Sequence, residues 1–266
     1  MSRFALYEAF IRIKIKAMTE YRAAFIWQGL AQASSYVAEF IVLWILIHQF
    51  DAINGWMPFE VLFLYALQLL TFALAGCFVQ SVSNGLPTMI RDGSFDEVLT
   101  KPMNPLLYLI CHRFVYQYAS HIIVSSVIIV LCFMKLDLAF TFGSAVQLFL
   151  VLVGATCIQA TIFMCTAIPA FWTVQSQGIS GLIQDFRSFI RYPISIYKPP
   201  IQIVLTLVFP YAFINFYPAQ YFLEKNDFLM FHPLFQYGTP FVGLILLLGM
   251  YQFWLAGIRS YKSTGT

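Results

Sequence analysis

Charged residues are scarce in this sequence. Asp, Glu, Lys and Arg make up 10% of its 266 residues, whereas hydrophobic residues make up 60%. A soluble domain carries about 25% charged residues. The composition therefore indicates an integral membrane protein, and it gives no reason to expect a nucleic-acid partner.

The motifs that hold nucleotides or catalytic groups are also missing. The chain has no Gly-x-x-x-x-Gly-Lys-Ser/Thr phosphate loop and no Gly-x-Gly-x-x-Gly, so it binds no nucleotide by those routes. It lacks His-Glu-x-x-His and Gly-x-Ser-x-Gly, which argues against a membrane-embedded enzyme. Its five cysteines form no Cys-x-x-Cys pair, so we interpret them as small buried hydrophobes. We expect no metal and no cofactor.

Long apolar segments dominate what is present. Each is long enough to cross the hydrocarbon core, which takes about 20 helical residues. Lipid offers no hydrogen-bond partner to the backbone, so every span must be helical. We therefore predict an all-α integral membrane protein with a single transmembrane domain over residues 1–266. Its six transmembrane helices are placed near 24–47, 59–83, 106–134, 144–170, 200–222 and 235–257.

The first 22 residues have the pattern of an amphipathic helix. Apolar residues recur at helical spacing on one side, and charged residues recur every four positions on another. The apolar set is Phe4, Tyr7, Ile11, Ile15 and Met18, and the charged set is Glu8, Arg12, Lys16 and Glu20. Such a helix lies in the membrane plane. The sequence thus predicts an interfacial helix over residues 1–22, with a soluble amphipathic tail as the alternative.

The distribution of Lys and Arg predicts the orientation. If the N-terminus is cytoplasmic, only Lys135 and Lys225 of the 15 basic residues fall on the outside. Cytoplasmic loops carry the excess of basic residues in membrane proteins. Both termini are therefore expected in the cytoplasm, with an even number of spans between them.

The most polar run of the chain, Arg91–Pro105, separates the second and third predicted spans. Pro87 suits the first turn of a short helix, because proline lacks an N–H that would be unpaired there. Gly93 can adopt the left-handed conformation that ends such a turn. The run therefore predicts a short helix, a break and a second short helix at a membrane face.

The second short helix has its own start and stop signals. Ser94 and Glu97 have the spacing of a capping box, and Asp96 adds negative charge at the positive end of the helix dipole. Pro102 and Pro105 are expected to stop the helix before the next span. Taken alone, these signals fit either a docking element or an ordinary solvated loop.

Polar side chains also occur within the apolar segments. Glu39 lies in the first predicted span and His121 in the third, and ionisable groups at that depth need a partner or a water-filled cavity. Gln68 and Gln159 should likewise point inward. Two interpretations stay open: these groups line a substrate path, where Glu39 would attract cations, or they form interhelical hydrogen bonds that hold the bundle together.

Three motifs, taken in order, resemble a known family. The polar loop fits Arg-x-Gly-x-x-Asp-x-x-Leu-x-x-Pro followed by Asn-Pro-Leu. Its residues are Arg91, Gly93, Asp96, Leu99, Pro102, Asn104, Pro105 and Leu106. Downstream come Tyr192-Pro193-Ile194-Ser195-Ile196-Tyr197 leading to Phe209-Pro210 and Tyr217-Pro218-Ala219, and then Trp254-x-x-Gly257-x-x-x-Tyr261-x-Ser263-x-Gly265. Together they resemble the six-span permease subunits of ATP-binding-cassette exporters, in the ABC-two superfamily, over almost the whole chain.

The resemblance implies a function for the polar loop. In that family the loop at 85–105 is the cytoplasmic coupling helix, which fits a groove on a separate ATPase subunit. The positions that match or flank the motif are Arg91, Gly93, Ser94, Phe95, Asp96, Glu97, Leu99 and Pro102. Two permease chains, identical or different, would assemble with two ATPase copies in the inner (plasma) membrane.

The resemblance also implies a transport role. The chain would be a non-enzymatic subunit that moves a hydrophobic or amphipathic substrate, such as a drug, lipid or peptide, out of the cytoplasm. Glu39, Gln68, His121 and Gln159 are the candidates for its substrate path. The alternative is an ion-coupled carrier that acts without an ATPase and uses Glu39 and His121 as proton sites.

Overall fold

The structure is a computed structural model that describes residues 54–173 and 186–262, together with a few separate positions between 27 and 52. Among these residues the regular elements are all helical. The predicted interfacial helix at 1–22, most of the first predicted span and Glu39 lie outside the described residues. The prediction of an all-α membrane protein is confirmed.

The longest helix runs from Pro58 to Arg91, over 34 residues. It consists of α1 (Pro58–Ala75), a π-helical turn (Gly76–Gln80) and α2 (Ser81–Arg91). Pro87 was expected to start a new helix but lies inside α2. Leu86 and Met89 are buried beside it, so tertiary packing keeps the helix continuous through the proline.

Three helices follow the long one. They are α3 (Phe95–Leu99), α4 (Pro105–His112) and α5 (Ala119–Lys135). The apolar run predicted as one span at 106–134 is therefore two helices with a break between them. Within the break, the Val115 N–H donates to the Cys77 carbonyl at 2.8 Å. Cys77 belongs to the π-helical turn, where the regular ladder of backbone bonds is shifted.

The helix α6 (Phe142–Ala167) packs lengthwise against α9 (Thr239–Ser260). A capping box starts α6: the Thr141 hydroxyl accepts from the Ser144 N–H at 3.1 Å, and the Ser144 hydroxyl accepts from the Thr141 N–H at 2.8 Å. At the crossing, a Cβ added to Gly154 would lie 2.6 Å from the Thr239 carbonyl oxygen. Gly154 and Gly243 thus let the two backbones touch.

The segment predicted as the fifth span is bent. It contains α7 (Pro199–Ile203), which continues into a π-helical turn at Val204–Val208, and then α8 (Phe216–Phe222). The two halves meet at 76°. The bend falls at Phe209-Pro210. A proline in the middle of a span frees a backbone carbonyl, so the sequence itself favours a kink or a broken element at this point. Asn215 fixes the bend, since its amide donates to the Leu64 and Ile190 carbonyls at 3.2 and 2.7 Å.

Three helices of the described residues are long and apolar enough to cross a membrane. They are Pro58–Arg91, Phe142–Phe171 and Thr239–Ser260, and the bent pair at 199–222 makes a fourth if it is one span. The helix α5 is apolar but has 17 residues. The count of six spans stays a prediction.

Candidate functional site: the short helix α3 and a polar cavity

The helix α3 follows α2 after a tight turn. Gly93 in this turn has a φ of +75°, so the predicted left-handed conformation is confirmed. A residue with a Cβ would be strained there. The turn reverses the chain and lays α3 against the end of the bundle where α2, α6 and α9 also end.

The predicted capping box at the start of α3 is wrong. Ser94 is the N-cap residue, but its backbone is already helical and its side chain makes no cap hydrogen bond. An N-cap hydroxyl reaches the first amides only from an extended backbone. Glu97 instead pairs with Lys101 at 3.0 Å, an interaction that raises the pKa of Lys101. Asp96 and Glu97 do occupy the first turn of α3, as expected.

One face of α3 is buried in aromatic rings. Phe95 has an exposed fraction of 0%. Its ring meets Phe171 at a centroid distance of 5.3 Å, Trp254 at 6.1 Å and Tyr261 at 5.1 Å, all edge to face. This geometry is favourable for aromatic pairs. We call these four residues the aromatic anchor.

The aromatic anchor explains the C-terminal motif that the sequence analysis identified. Trp254 and Tyr261 both contact Phe95, and a Cβ on Gly257 would overlap the Phe171 ring. Burial, and after it the neighbouring Asp96 carboxylate, raise the pKa of Tyr261. The described residues of the motif, Trp254, Gly257 and Tyr261, thus belong to the site where α3 packs on the bundle.

The other face of α3 is open to solvent. The exposed members of the predicted coupling set are Arg91, Ser94, Glu97, Leu99 and Pro102. Arg91 pairs with its neighbour Asp92 at 3.1 Å. Gly93 and Asp96 are partly buried. Phe95, also in the predicted set, has no surface for direct contact with a partner, so it positions α3 instead.

A second attachment lies just after α3. The Asn104 side chain caps α4: its Oδ1 accepts from the Leu106 and Leu107 amides at 3.0 and 3.2 Å. Its Nδ2 donates to the Tyr251 hydroxyl on α9 at 2.9 Å. Pro105 was expected to stop a helix but starts α4, as the first helical position favours proline. The Asn104–Tyr251 bond holds the chain beyond α3 to the same helix that carries Trp254.

Three of the four residues predicted for a substrate path are described, and all three, Gln68, His121 and Gln159, are buried. The Gln68 amide donates to the Arg187 carbonyl at 3.2 Å, and the Arg187 guanidinium stacks over the Phe72 ring at 3.8 Å. Gln159 and Arg187 line a small cavity of about 20 Å³. That is enough for one water molecule. Gln159 Nε2 has no hydrogen-bond partner among the described residues.

His121 lines a second, larger cavity of about 490 Å³. Gln80 and Asn84 line both cavities and bond to each other at 3.0 Å. His121 and Gln159 therefore line two cavities that share Gln80 and Asn84, while Gln68 lines neither and bonds to the backbone of Arg187. The remaining lining residues of the larger cavity include Arg113 and Gln117.

The sequence model of the ABC-2 family transporter proteins matches residues 33–265 of this chain. The chain belongs to the ABC-2 transporter family. Comparisons with curated proteins and with solved structures give no significant match. As an ABC-2 protein, the chain is a multi-pass membrane protein and the transport subunit of an ABC system. Membership in the family implies an ATPase partner.

The sequence analysis did not identify two arginines of this ABC-2 permease as candidate site residues. Arg113 lines the larger cavity and Arg187 lines the smaller one. Arg113 lies near the start of the third predicted span, and Arg187 lies in a mixed segment between predicted spans, so neither had a periodic pattern that pointed inward. Their only sequence signal was a positive charge in or next to an apolar run.

Proposed function

We propose that this chain is the membrane-spanning subunit of an ABC exporter. It moves a hydrophobic or amphipathic substrate, such as a drug, lipid or peptide, out of the cytoplasm with ATP hydrolysed on a separate chain. The observation that carries the proposal is the two-sided α3: Phe95 and Val98 are buried in the bundle, while Ser94 and Glu97 are exposed. A helix with this arrangement can bind a partner and transmit its motion.

The contacts of α3 define a route for that motion. The exposed face of α3 is connected to the bundle through Phe95, which contacts Phe171 just after α6 and Trp254 on α9. A displacement of α3 by a partner would reach both helices through these contacts. Burial of a phenylalanine side chain contributes about 1.5–3 kcal/mol, and each edge-to-face pair adds about 0.5–1.5 kcal/mol. Because separating α3 from the bundle would lose this packing energy, we expect α6 and α9 to move together with α3.

The proposed assembly has two permease chains, identical or different, and two ATPase copies. The excess of Lys and Arg on one side supports an orientation with both termini and α3 in the cytoplasm, and the proposed location is the inner (plasma) membrane. Large apolar side chains cover the outside of the bundle: Ile123, Phe149 and Phe241 are 63%, 66% and 70% exposed. Lipid or the second permease would cover such a surface.

The proposal is tested by reversing charge on the exposed face of α3. We expect Glu97→Lys to reduce ATPase capture and ATP-dependent transport at least tenfold, because a docking surface discriminates by charge. Ser260→Lys is the matched control, since Ser260 is exposed at the same end of the bundle and lies outside α3. The measurements are co-purification of the ATPase encoded with this chain and transport in proteoliposomes.

Two results would overturn the proposal. One is normal ATPase capture and transport by the Glu97→Lys chain. The other is transport by the purified chain in liposomes without any ATPase, which would favour the ion-coupled carrier with Glu39 and His121 as proton sites.

A further inference from the structure

Arg113 lies in the break between α4 and α5 and lines the cavity of about 490 Å³. It is partly buried. In the described parts of the chain, no carboxylate pairs with its guanidinium and no acceptor lies within hydrogen-bonding distance. Removing a charge from water is costly unless a counter-charge compensates it. An unpaired guanidinium in a cavity therefore indicates a site for an anion.

The surroundings of Arg113 suit a phosphate group. Gln80, Asn84 and Gln117 supply amide donors, Ser81 supplies a hydroxyl, and none of the lining residues is acidic. A Cβ on Gly85 would overlap the Arg113 Nη1 atom, so the glycine lets the guanidinium lie directly against α2. The planar guanidinium presents paired N–H donors that match phosphate oxygens.

The cavity lies at the depth of lipid headgroups. The helix that carries Gly85 begins at Pro58, and at 1.5 Å per residue the two positions are about 40 Å apart along the axis. The hydrocarbon core is about 30 Å thick, and the headgroup regions bring the total to about 40–45 Å. A span that enters the membrane near Pro58 therefore places Gly85 and Arg113 in the headgroup layer on the α3 side.

We propose that the cavity binds the headgroup of one anionic phospholipid from the leaflet on the α3 side. Its phosphate binds the Arg113 guanidinium, and its acyl chains stay in the hydrocarbon of that leaflet. Basic pockets between membrane helices bind anionic headgroups in this way. The site goes beyond the proposed transport function, because it requires neither ATP nor a partner chain.

The test measures which lipids the full-length chain retains. The chain is reconstituted in nanodiscs of equimolar phosphatidylglycerol and phosphatidylcholine and extracted in mild detergent, and bound lipids are counted by native mass spectrometry. We expect at least a fivefold excess of phosphatidylglycerol on the unmodified chain. Arg113→Gln should abolish that excess, and Arg113→Lys should keep part of it. Arg259→Gln removes an exposed arginine at the same end and should leave the excess unchanged.

A second variant covers the case in which Arg113→Gln does not fold. Gly85→Leu keeps the charge but displaces the guanidinium, and it should reduce the excess at least threefold. Equal retention of the two lipids by the unmodified chain would overturn the proposal, as would equal losses in the Arg113 and Arg259 variants. Displacement of phosphatidylglycerol by an equal concentration of inorganic phosphate would show a free-anion site and overturn the lipid assignment. None of these results depends on ATPase capture, so they leave the test of the exporter proposal separate.

Discussion

Phe95 has no exposed surface, although it lies in the most polar stretch of the chain. Its neighbours in sequence are charged or hydroxylated, while its neighbours in space are Phe171, Trp254 and Tyr261. These partners come from segments 76 or more positions further along the chain. The side chain therefore belongs to the bundle and the rest of α3 belongs to the surface.

This division leads to a prediction at the scale of one residue. Phe95→Ala leaves a cavity in the aromatic anchor, and we expect a loss of about 3–5 kcal/mol in the free energy of unfolding. Leu99→Ala is the control, because Leu99 is 39% exposed and its truncation should cost less than about 1 kcal/mol. Thermal unfolding followed by tryptophan fluorescence reports both. Equal losses in the two variants would mean that α3 is not anchored through Phe95.

Individual residues were predictable from the sequence where the signal was local. The left-handed Gly93 was predicted because only glycine takes that conformation freely. The capping box at Ser94 and Glu97 was wrong, because the packing of Phe95 and the pairing of Glu97 with Lys101 override the local preference. The burial of Phe95 could not be predicted, since it depends on rings distant in sequence.

At the scale of elements, the crossing of α6 and α9 depends on two glycines. A Cβ on Gly154 would meet the backbone at Thr239 and Pro240, and a Cβ on Gly243 would meet the backbone of Gly154. Backbone atoms cannot rotate away as a flexible side chain can. The two helices must therefore separate if either glycine is enlarged.

Gly243→Ala should lower the melting temperature of the purified chain by several degrees, corresponding to about 1–3 kcal/mol of overpacking. Gly249→Ala in the same helix is the matched control, because nothing lies within 4 Å of the Cβ that it would add. Alanine is the better helix former by up to about 1 kcal/mol, so this control should be neutral or slightly stabilising. A Gly243→Ala chain as stable as the control would show that α6 and α9 do not cross here.

Within the predicted spans, a break had a sequence signal only where a proline lies. Pro210 indicated the bend between α7 and α8, which the structure contains. The break between α4 and α5 carries no such signal, because it depends on long-range contacts. There the Val115 amide bonds to Cys77, and Tyr118 packs on Gly76, where a Cβ would lie 2.7 Å from the ring.

For the whole molecule, the end opposite α3 is held by an ion pair between the first turn of α1 and the loop after α8. Lys225 pairs with Glu60 at 2.9 Å, and both side chains are largely buried. Lys225 also donates to the Gly55 carbonyl at 2.8 Å, and Trp56 donates to Asp227 at 2.9 Å. The start of the long helix is thereby tied to the loop after α8.

Breaking this pair should loosen that end of the molecule. We expect Lys225→Met to cost about 1–3 kcal/mol, between the values typical of exposed and buried pairs. Glu60→Lys should cost at least as much, and the charge-reversed double variant Glu60→Lys with Lys225→Glu should recover part of the loss. Lys135→Met is the control, because Lys135 is exposed and forms no ion pair with another described residue. Additive losses in the double variant would show that the two charges do not interact.

The helix from Pro58 to Arg91 has 34 residues, which at 1.5 Å per residue is about 50 Å. A bilayer with its headgroups is about 40–45 Å thick, so an upright helix of this length overshoots it. The final turns before α3 then extend beyond the lipid headgroups into the solvent. A protein that grips the chain there needs no affinity for lipid, and it can approach and leave by diffusion through the solvent alone.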